Sequence, residues 1–434
     1  MFIKTILKKI VPSKLVLILL PFYKPFGRVL LKYELKKIRK KQYQSVEKLK
    51  IKHTINVIFF LINTDTWKLN SVYEAFKNRD NYNPIVVICP LIGKGNDFLD
   101  KEMSKAENYC KKKKYNHTIA YDTLRRQPIN IKSLLKPDII FFTNPNNITH
   151  KEFLIDNYLD KLTCFIPYSF RIDKLYEYEY NNRLVNLTWM NFYETQIHKE
   201  LAEKHADNNG RNVEVSGFPF LDKESKNKSK ISVWKHQDKK KKIIWAPHWT
   251  IKGYQPTGLD WSCFLDYYQF IIDLAIEFNN EIQFAIKPHP FLKTLLSEEN
   301  LWGRRKTEEY FKKWNTINNC QYINGDYKDF FDQSDALIHD SGSFMSEYMI
   351  QNKPIGYTVS DKPINERFNK FGEVVLTGHQ LIYDKKDFRK FILDVINNVD
   401  GLKIEREIIS KNHQLTETGF IGEKIVDIIN KKLT

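Results

Sequence analysis

The chain has 434 residues, of which 69 are basic and 52 acidic, so its formal net charge is +17. Hydrophobic residues make up 42% and aromatic residues 14%, which is enough for packed cores and excludes a disordered or fibrous protein. The length indicates two or three domains. The five cysteines are scattered and form no CxxC pair or Cys/His cluster, so we predict reduced thiols, no metal ion and no cofactor.

Most of the positive charge lies in the first 52 residues. This segment holds 13 Lys, 2 Arg and 2 Glu, a net charge of +13, and leaves only +4 for the rest of the chain. A nucleic-acid-binding protein carries its basic surface on the folded domain. The distribution therefore argues against nucleic acid as a partner.

The N-terminal segment 1–52 has the pattern of a membrane anchor. Its longest apolar run, 15–20, is too short to span a bilayer, because a spanning helix needs roughly 20 apolar residues. In 26–41, apolar residues such as Val29 and Ile38 alternate with Lys and Arg, as in helices that lie on anionic cytoplasmic membrane surfaces. We predict that residues 1–41 hold the protein at the cytoplasmic face of the cell membrane. A solvated basic arm and a packed terminal helix are the alternatives.

From residue 53 onward, short apolar runs alternate with longer polar segments. The predicted strands are 55–62, 85–89, 138–142, 163–166, 243–246, 283–286, 336–338 and 355–357, and helices between them include 68–78, 151–159, 264–278 and 344–351. Continuous apolar strands that alternate with helices indicate parallel sheets covered on both faces. We predict two doubly wound, Rossmann-like α/β domains at 53–225 and 226–434. The last helix either belongs to the second domain or crosses back to the first.

The strongest candidate motif follows strand 336–338, where a polar turn reads HDSGS. Ligands of open α/β sheets bind at the carboxyl ends of strands, and N–H groups at the start of a following helix suit a phosphate. The predicted ligands of a nucleotide diphosphate are His339, Asp340, Ser341, Gly342 and Ser343. Glu347, one helical turn later, is predicted to bind ribose hydroxyls. The alternative is an ordinary capped turn with local hydrogen bonds.

Two more strand ends carry histidines. Lys287 and His289 form a KPHP turn after strand 283–286. An ammonium group beside an imidazole suits a diphosphate whose charge grows as a leaving group departs. His248 follows strand 243–246 and is, with His289, a candidate catalytic residue. In both cases the alternative is a histidine that only supports its own loop or core.

A bend is predicted at the sequence VSGFP, which precedes a Lys-rich linker. Glycine and proline shape such bends, so Ser216, Gly217 and Pro219 are interpreted as a hinge beside the cleft. The sequence has no P-loop, no GxGxxG after a first strand, no GxSxG and no Asp-x-Asp.

The segments IIWAPHWT, IKPHP and DALIHDSGSFMSEYMIQNKPIGY together resemble the CDP-glycerol glycerophosphotransferase family of teichoic acid and capsule synthesis. In that family the matching elements read approximately YAPT, a histidine turn of the HP type, and TDYSS followed by a helix and a KPI strand. VSGFPFLD resembles the family's TGYPRND element. Order and spacing agree over about residues 213–360, and the first half of the chain matches only in architecture.

The resemblance implies a GT-B fold, in which two Rossmann-like domains face a cleft and the C-terminal one binds the nucleotide. It also implies transfer of glycerol phosphate from a CDP-activated polyol donor to a hydroxyl of a lipid-linked saccharide acceptor, with release of CMP. His289 matches the family's C-terminal catalytic histidine, and Ser341, Gly342 and Ser343 match its diphosphate-binding turn.

One element of the family is missing. The WHGTPLK-like motif, whose histidine acts as a base, corresponds to residues 163–170, which contain no histidine. His150, His198 and Tyr168 are candidate bases that the sequence does not rank. A loose phosphoryl-transfer transition state depends mainly on positioning and charge stabilisation, so a weaker base is tolerable.

Three other functions remain open. A glycosyltransferase of the same fold would use a nucleotide sugar for capsule or lipopolysaccharide. The turn DSGSFMSE is similar to the DSGG…E turn of nucleotide-sugar 2-epimerases, although an epimerase has no need of a basic apolar tail. A scaffold without activity would bind a nucleotide and not turn it over.

Overall fold

The computed structural model describes residues 13–222, 232–255, 258–325, 327–361, 363–415 and 420–434. The chain divides into two compact units. Unit 1 comprises Met1–Ser169, Leu175–Asp222 and Thr418–Thr434, and unit 2 comprises Phe170–Lys174 and Lys223–Glu417. Two segments therefore depart from the predicted domains 53–225 and 226–434: the short stretch Phe170–Lys174 lies in unit 2, and the C-terminal helix lies in unit 1.

Fifteen strands are found in the described residues. They are β1 (Ile55–Leu61), β2 (Tyr82–Ile88), β3 (His117–Ile119), β4 (Tyr121–Asp122), β5 (Gln127–Pro128), β6 (Ile139–Phe142), β7 (Leu162–Phe165), β8 (Met190–Tyr193), β9 (Val213–Val215), β10 (Lys241–Ala246), β11 (Ile282–Ile286), β12 (Cys320–Tyr322), β13 (Ala336–His339), β14 (Ile355–Thr358) and β15 (Gln380–Ile382). Their apolar runs account for their burial: in β1 only Asn56 is partly exposed, as expected of a strand covered on both faces.

The α-helices within the same described ranges connect these strands. They are α1 (Ser13–Lys50), α2 (Asn70–Lys77), α3 (Asn96–Lys113), α4 (Ile131–Leu135), α5 (Tyr176–Glu179), α6 (Arg183–Leu187), α7 (Gln196–His205), α8 (Phe264–Glu277), α9 (Pro290–Leu296), α10 (Gly303–Thr316), α11 (Lys328–Gln333), α12 (Gly342–Glu347), α13 (Lys370–Leu376), α14 (Lys385–Ile396), α15 (Lys403–Asn412) and α16 (Ile421–Leu433).

Each unit is built on one parallel sheet. The sheet of unit 1 has seven strands in the order β3-β2-β1-β6-β7-β8-β9, and the sheet of unit 2 has six in the order β12-β11-β10-β13-β14-β15. The pairs within both sheets are parallel, and β4 and β5 form a separate antiparallel pair. The prediction of two doubly wound α/β sheets is confirmed.

Helix α1 joins the two predicted segments of the N-terminal tail into one element. Its later turns pack on unit 1 through Leu35, Ile38 and Leu49, which are 7%, 4% and 6% exposed. Ile38 therefore contacts protein, and its prediction as part of a membrane-facing surface with Val29 is wrong. Residues 1–12 of the predicted anchor lie outside the described residues. Among the described helices, none has the length and apolar content that crossing a membrane requires.

Helix α16 completes unit 1. The carboxylate of Asp222 accepts hydrogen bonds from the backbone N–H groups of Ile421 and Gly422, both at 2.8 Å, and so caps the start of the helix. A Cβ at Gly422 would lie 2.4 Å from the backbone oxygen of Ser71. Arg79 contacts Glu423 in the same helix at 2.8 Å. The last helix is thus held closely to unit 1.

Candidate active site

Three of the polar turns singled out in the sequence lie side by side in unit 2. Strands β11, β10 and β13 are neighbours, because Trp245 of β10 pairs with Ile286 on one side and with Ile338 on the other. The chain extends from β10 to β11 in one direction and returns to β13 on the opposite side. This reversal is the topological switch point, where open α/β sheets bind their ligands.

Asp340 ties two of these turns together. Its carboxylate accepts hydrogen bonds from the backbone N–H of His248 and from that of Cys263, the latter at 2.7 Å. The side chain is 1% exposed, and burial raises its pKa to about 7 although the hydrogen bonds oppose the shift. The structure therefore gives Asp340 a bracing role, and its direct contact with a diphosphate stays a prediction.

His248 belongs to one of the turns that Asp340 joins. Its ring centroid is 4.9 Å from that of His289 and 5.2 Å from that of Trp261. Its Nδ1 lies 2.8 Å from the hydroxyl oxygen of Thr250. Burial and then the neighbouring His289 lower the pKa of His248 well below its ordinary value, so the imidazole is neutral at neutral pH.

The KPHP turn brings a cation and a second imidazole to the same edge of the sheet. The backbone N–H of His289 donates to the oxygen of Pro247 at 3.0 Å, and its Nδ1 accepts the N–H of Phe291 at 3.1 Å, which caps helix α9. Lys287 follows β11 directly, and its side chain, like that of His289, is half-buried. Both side chains thus have part of their surface accessible to a ligand.

The turn before helix α12 packs closely against Trp261 and Ile172. A Cβ at Gly342 would lie 2.8 Å and 3.1 Å from two ring atoms of Trp261 and 3.3 Å from Cδ1 of Ile172. Only glycine fits this position without a shift of the surrounding atoms. Ser341, at 8% exposed, and Gly342 are buried, whereas Ser343 is half-buried. Ser343 is therefore the most accessible residue of the three.

Two of the predicted ligands lie in the interior. His339 is 0% exposed, and burial lowers its pKa well below the ordinary value. Its Nδ1 accepts the backbone N–H of Ser341 at 3.2 Å. Glu347 is 1% exposed and accepts a hydrogen bond from the Tyr327 hydroxyl at 2.5 Å. The Tyr327 ring also lies 5.8 Å from Nζ of Lys287. Tyr327 carries no sequence signal and was not predicted.

A second unpredicted feature is the stretch Phe170–Lys174, which follows the place of the missing histidine motif. The backbone oxygens of Arg171 and Ile172 accept hydrogen bonds from the side-chain amide and the N–H of Asn369, both at 2.8 Å. Ile172 also approaches Gly342. Ile172, from the first half of the chain, therefore packs beside the predicted diphosphate turn. No local sequence pattern marks such an exchange.

Other sequence candidates lie in unit 1. His198 is 0% exposed and its Nδ1 is 2.7 Å from the Thr195 hydroxyl, whereas His150 and Tyr168 are half-buried. Gly217 has a φ of +95°, a conformation that favours glycine. The hinge residues Ser216, Gly217 and Pro219 are buried after β9, and their role stays a prediction.

The predicted chemistry uses no metal ion. Within the described residues, no three His, Cys, Asp or Glu side chains are grouped so that they could hold one. All five cysteines are free and buried. Burial raises the pKa of Cys263, beside Asp340, above its ordinary value, so this thiol is protonated at neutral pH.

Two doubly wound parallel sheets, with polar turns at the switch point of the second, define a GT-B-like fold. Residues 188–369 match a family described as CDP-Glycerol:Poly(glycerophosphate) glycerophosphotransferase. The matched range contains all three strand-end turns. The resemblance found in the sequence is confirmed over these residues.

Solved structures agree on the fold. A variant of the wall teichoic acid polymerase TagF is 13% identical, with a TM-score of 0.59 over 95% of this chain and 97% of that chain. S. aureus MnaA, solved with UDP, is 16% identical, with a TM-score of 0.54 over 88% and 97%. The UDP-GlcNAc 2-epimerase from Neisseria meningitidis, bound to UDP-GlcNAc, is 16% identical, with a TM-score of 0.54 over 87% and 100%. No curated protein sequence matches the chain.

Proposed function

We propose that the protein transfers glycerol phosphate, or a related polyol phosphate, from CDP-glycerol to a hydroxyl of a lipid-linked glycan or polymer. The acceptor oxygen bonds to the phosphorus that carries the glycerol, the bond from that phosphorus to the bridging oxygen breaks, and CMP leaves with the electron pair. The hydroxyl proton passes to a base or to water. The product is a teichoic-acid-like or capsular polymer. The observation that carries the proposal is the family match, which spans the switch point of unit 2.

In the proposed reaction, the role of unit 2 is to stabilise negative charge on the leaving group. In a loose transition state, negative charge grows on the departing CMP. Lys287 brings an ammonium group, His248 and His289 bring imidazoles, and the backbone N–H groups of residues 341–343 complete the proposed diphosphate site. Prearranged donors are most effective where charge develops during the reaction. Because the pKa of the Asp340 carboxyl is about 7, a share of it is protonated at neutral pH, which limits repulsion of the diphosphate.

The donor is tested by thermal unfolding with CDP-glycerol, CDP-ribitol, UDP-GlcNAc and a GDP-sugar. A ligand that binds only the folded protein raises the melting temperature by mass action, so CDP-glycerol is expected to give the largest shift. No stabilisation by either CDP compound, beside clear stabilisation by UDP-GlcNAc, contradicts the proposed donor.

The role of His289 is tested by CMP release from CDP-glycerol with a lipid-linked glycan fraction as acceptor. We expect His289→Ala to lower turnover by roughly a hundredfold, as for loss of one donor to a developing charge. His53→Ala replaces an exposed histidine in unit 1 and is the matched control. Undiminished turnover in His289→Ala rejects its catalytic role.

Helix α1 supports a peripheral position on the cytoplasmic face of the membrane. Opposite its packed side, Val29 and Tyr33 are 63% and 61% exposed, and Nζ of Lys37 lies 4.4 Å from the Tyr33 ring. Among the residues of the helix whose burial is described, the exposed cations are Lys32, Lys36, Lys37, Arg39, Lys40, Lys41, Lys48 and Lys50. Each basic residue near an anionic membrane contributes about 1 kcal/mol to binding. The proposed anchor therefore acts mainly through charge.

Flotation with anionic and neutral vesicles tests this position. Lys36→Glu with Lys40→Glu should weaken binding to anionic vesicles at least about tenfold. The control is Lys312→Glu with Lys403→Glu, which makes the same change in charge at exposed residues of unit 2. Its binding to anionic vesicles should stay near the wild-type value. Equal binding of the two variants contradicts the anchor.

A second candidate is an enzyme that uses a nucleotide sugar. It is favoured by the fold similarity to UDP-GlcNAc 2-epimerases, one of them bound to UDP-GlcNAc. A glycosyltransferase would move sugar without phosphorus to the acceptor, and an epimerase would invert C2 of UDP-GlcNAc without any acceptor. Phosphorus and proton NMR of the products distinguish the three reactions.

A further inference from the structure

The hydrogen bonds around His248 determine which ring nitrogen carries its proton. Nδ1 accepts the backbone N–H of Thr250 at 3.4 Å and lies 2.8 Å from the hydroxyl oxygen of the same residue. That oxygen also accepts the N–H of Trp261 at 3.2 Å. Because Nδ1 accepts the Thr250 N–H, it carries no proton, and the hydroxyl is the donor to it. Two donors therefore face Nδ1, and the proton of the neutral ring sits on Nε2.

His289 has the same arrangement. Its Nδ1 accepts the N–H of Phe291 at 3.1 Å, because Pro290 has no N–H and Phe291 supplies the first one of helix α9. When this ring is neutral, its proton is again on Nε2. The two imidazoles lie 4.9 Å apart between centroids, so the two rings are direct neighbours.

The loop that carries His248 is fixed on several sides. Its N–H donates to Asp340, and its backbone oxygen accepts the hydroxyl of Ser262 at 2.7 Å. Thr250 is 0% exposed, against 8% for His248. Thr250 therefore touches no ligand and acts through the ring that it holds.

We infer that His248 and His289 are paired Nε2–H donors to one phosphate group of a nucleoside diphosphate, and that Thr250 is the positioning residue that holds His248 in this tautomer. The ligand in this inference rests on the proposed function, whereas the tautomer rests on the hydrogen bonds alone. A neutral ring with its proton on Nε2 and its Nδ1 already bonded has no lone pair for an acceptor hydroxyl. The pair thus stabilises charge on the leaving group and does not act as the base.

The tautomer is tested by two-bond proton–nitrogen NMR on the full chain labelled with ¹⁵N-histidine, with His248→Gln to assign the signal. We expect an unprotonated, hydrogen-bonded Nδ1 and a protonated Nε2 for His248. Thr250→Val removes the hydroxyl at nearly constant volume and should shift the proton toward Nδ1, whereas Thr250→Ser should keep the wild-type pattern. A wild-type spectrum with the proton on Nδ1 overturns the inference, whether or not the variants fold.

Binding of CDP, measured by calorimetry, tests the phosphate role. Thr250→Val should weaken CDP binding about tenfold, as for loss of one well-oriented hydrogen bond to a charged group, and Thr250→Ser should restore it. Wild-type affinity in Thr250→Val overturns the positioning role. If wild-type protein binds no CDP while the tautomer is as expected, the proposed function and the phosphate role fail, and the action of Thr250 on His248 stands.

Discussion

Replacing Gly342 by alanine probes the packing of the predicted diphosphate turn at residues 341–343. The added Cβ would meet Trp261 at 2.8 Å and Ile172 at 3.3 Å, and a contact under 3.0 Å requires that something shift. Trp261 is 5% exposed and has the rings of His248 and Phe368 as neighbours, so it has little room to move. Overpacking of a buried site costs about 1–3 kcal/mol, and we expect Gly342→Ala to lose free energy of unfolding in that range.

The same shift should displace the turn and weaken CDP binding about tenfold, which corresponds to about 1.4 kcal/mol. Urea unfolding followed by tryptophan fluorescence gives the stability, and calorimetry gives the affinity. Gly401→Ala is the matched control, because Gly401 lies in unit 2 with no atom within 4 Å of its Cβ position; its effect on stability should stay within about 0.5 kcal/mol. Equal stability and equal affinity in the two variants would refute the close packing of the turn on Trp261.

Two other substitutions test the raised pKa of Asp340 in unit 2 and the packing of helix α16 on the rest of unit 1. The folded-state pKa of Asp340 is raised to about 7 from an ordinary 3.8, so its contribution to stability is full below about pH 4 and is lost as the pH rises to about 7. Urea unfolding gives the free energy of unfolding of the wild type and of Asp340→Asn, and the difference between the two should fall as the pH rises over this window. Effects of the buried histidines occur in both proteins and cancel. A difference that does not change with pH contradicts the raised pKa. Gly422→Ala places a Cβ 2.4 Å from the backbone of Ser71 and should cost at least about 1–3 kcal/mol. Limited proteolysis should then cut helix α16 faster, and unchanged protection would show that the helix has room to move away.

The strands and the polar turns after them were predictable because both are local properties of the sequence. Continuous apolar runs mark buried parallel strands, and a buried strand must end where polar residues begin. The predicted helix 151–159 is wrong for an equally local reason: the His150 side chain caps a short 3-10 turn and Leu154 is extended, with φ −91° and ψ 157°, before a second turn at Ile155–Tyr158. Residues 151–159 contain no strong stop signal, so periodicity alone favoured one helix.

The orientation of side chains within the turns was not predictable, because it depends on residues far away in the chain. Asp340 faces N–H groups 92 and 77 residues distant in sequence. Glu347 accepts a hydrogen bond from Tyr327, which is 20 residues earlier. A single sequence shows which polar residues follow a strand. It does not show which of their side chains face the core. The stretch Phe170–Lys174 is the extreme case, since only the folded protein brings its backbone to Asn369.

The donor tautomers of His248 and His289 change where the missing base has to be sought. If both rings present Nε2–H to a phosphate, the proton of the acceptor hydroxyl leaves through a different group. His198 is 0% exposed and bonded to Thr195, which removes it from direct contact with an acceptor and leaves half-buried His150 and Tyr168, or water. This division of labour suits the proposed transfer: in a loose transition state, the bond to the leaving CMP would break early and the hydroxyl proton would be lost late. Stabilising the leaving group, the task that the strand ends of unit 2 fit, then contributes more to the rate than a strong base.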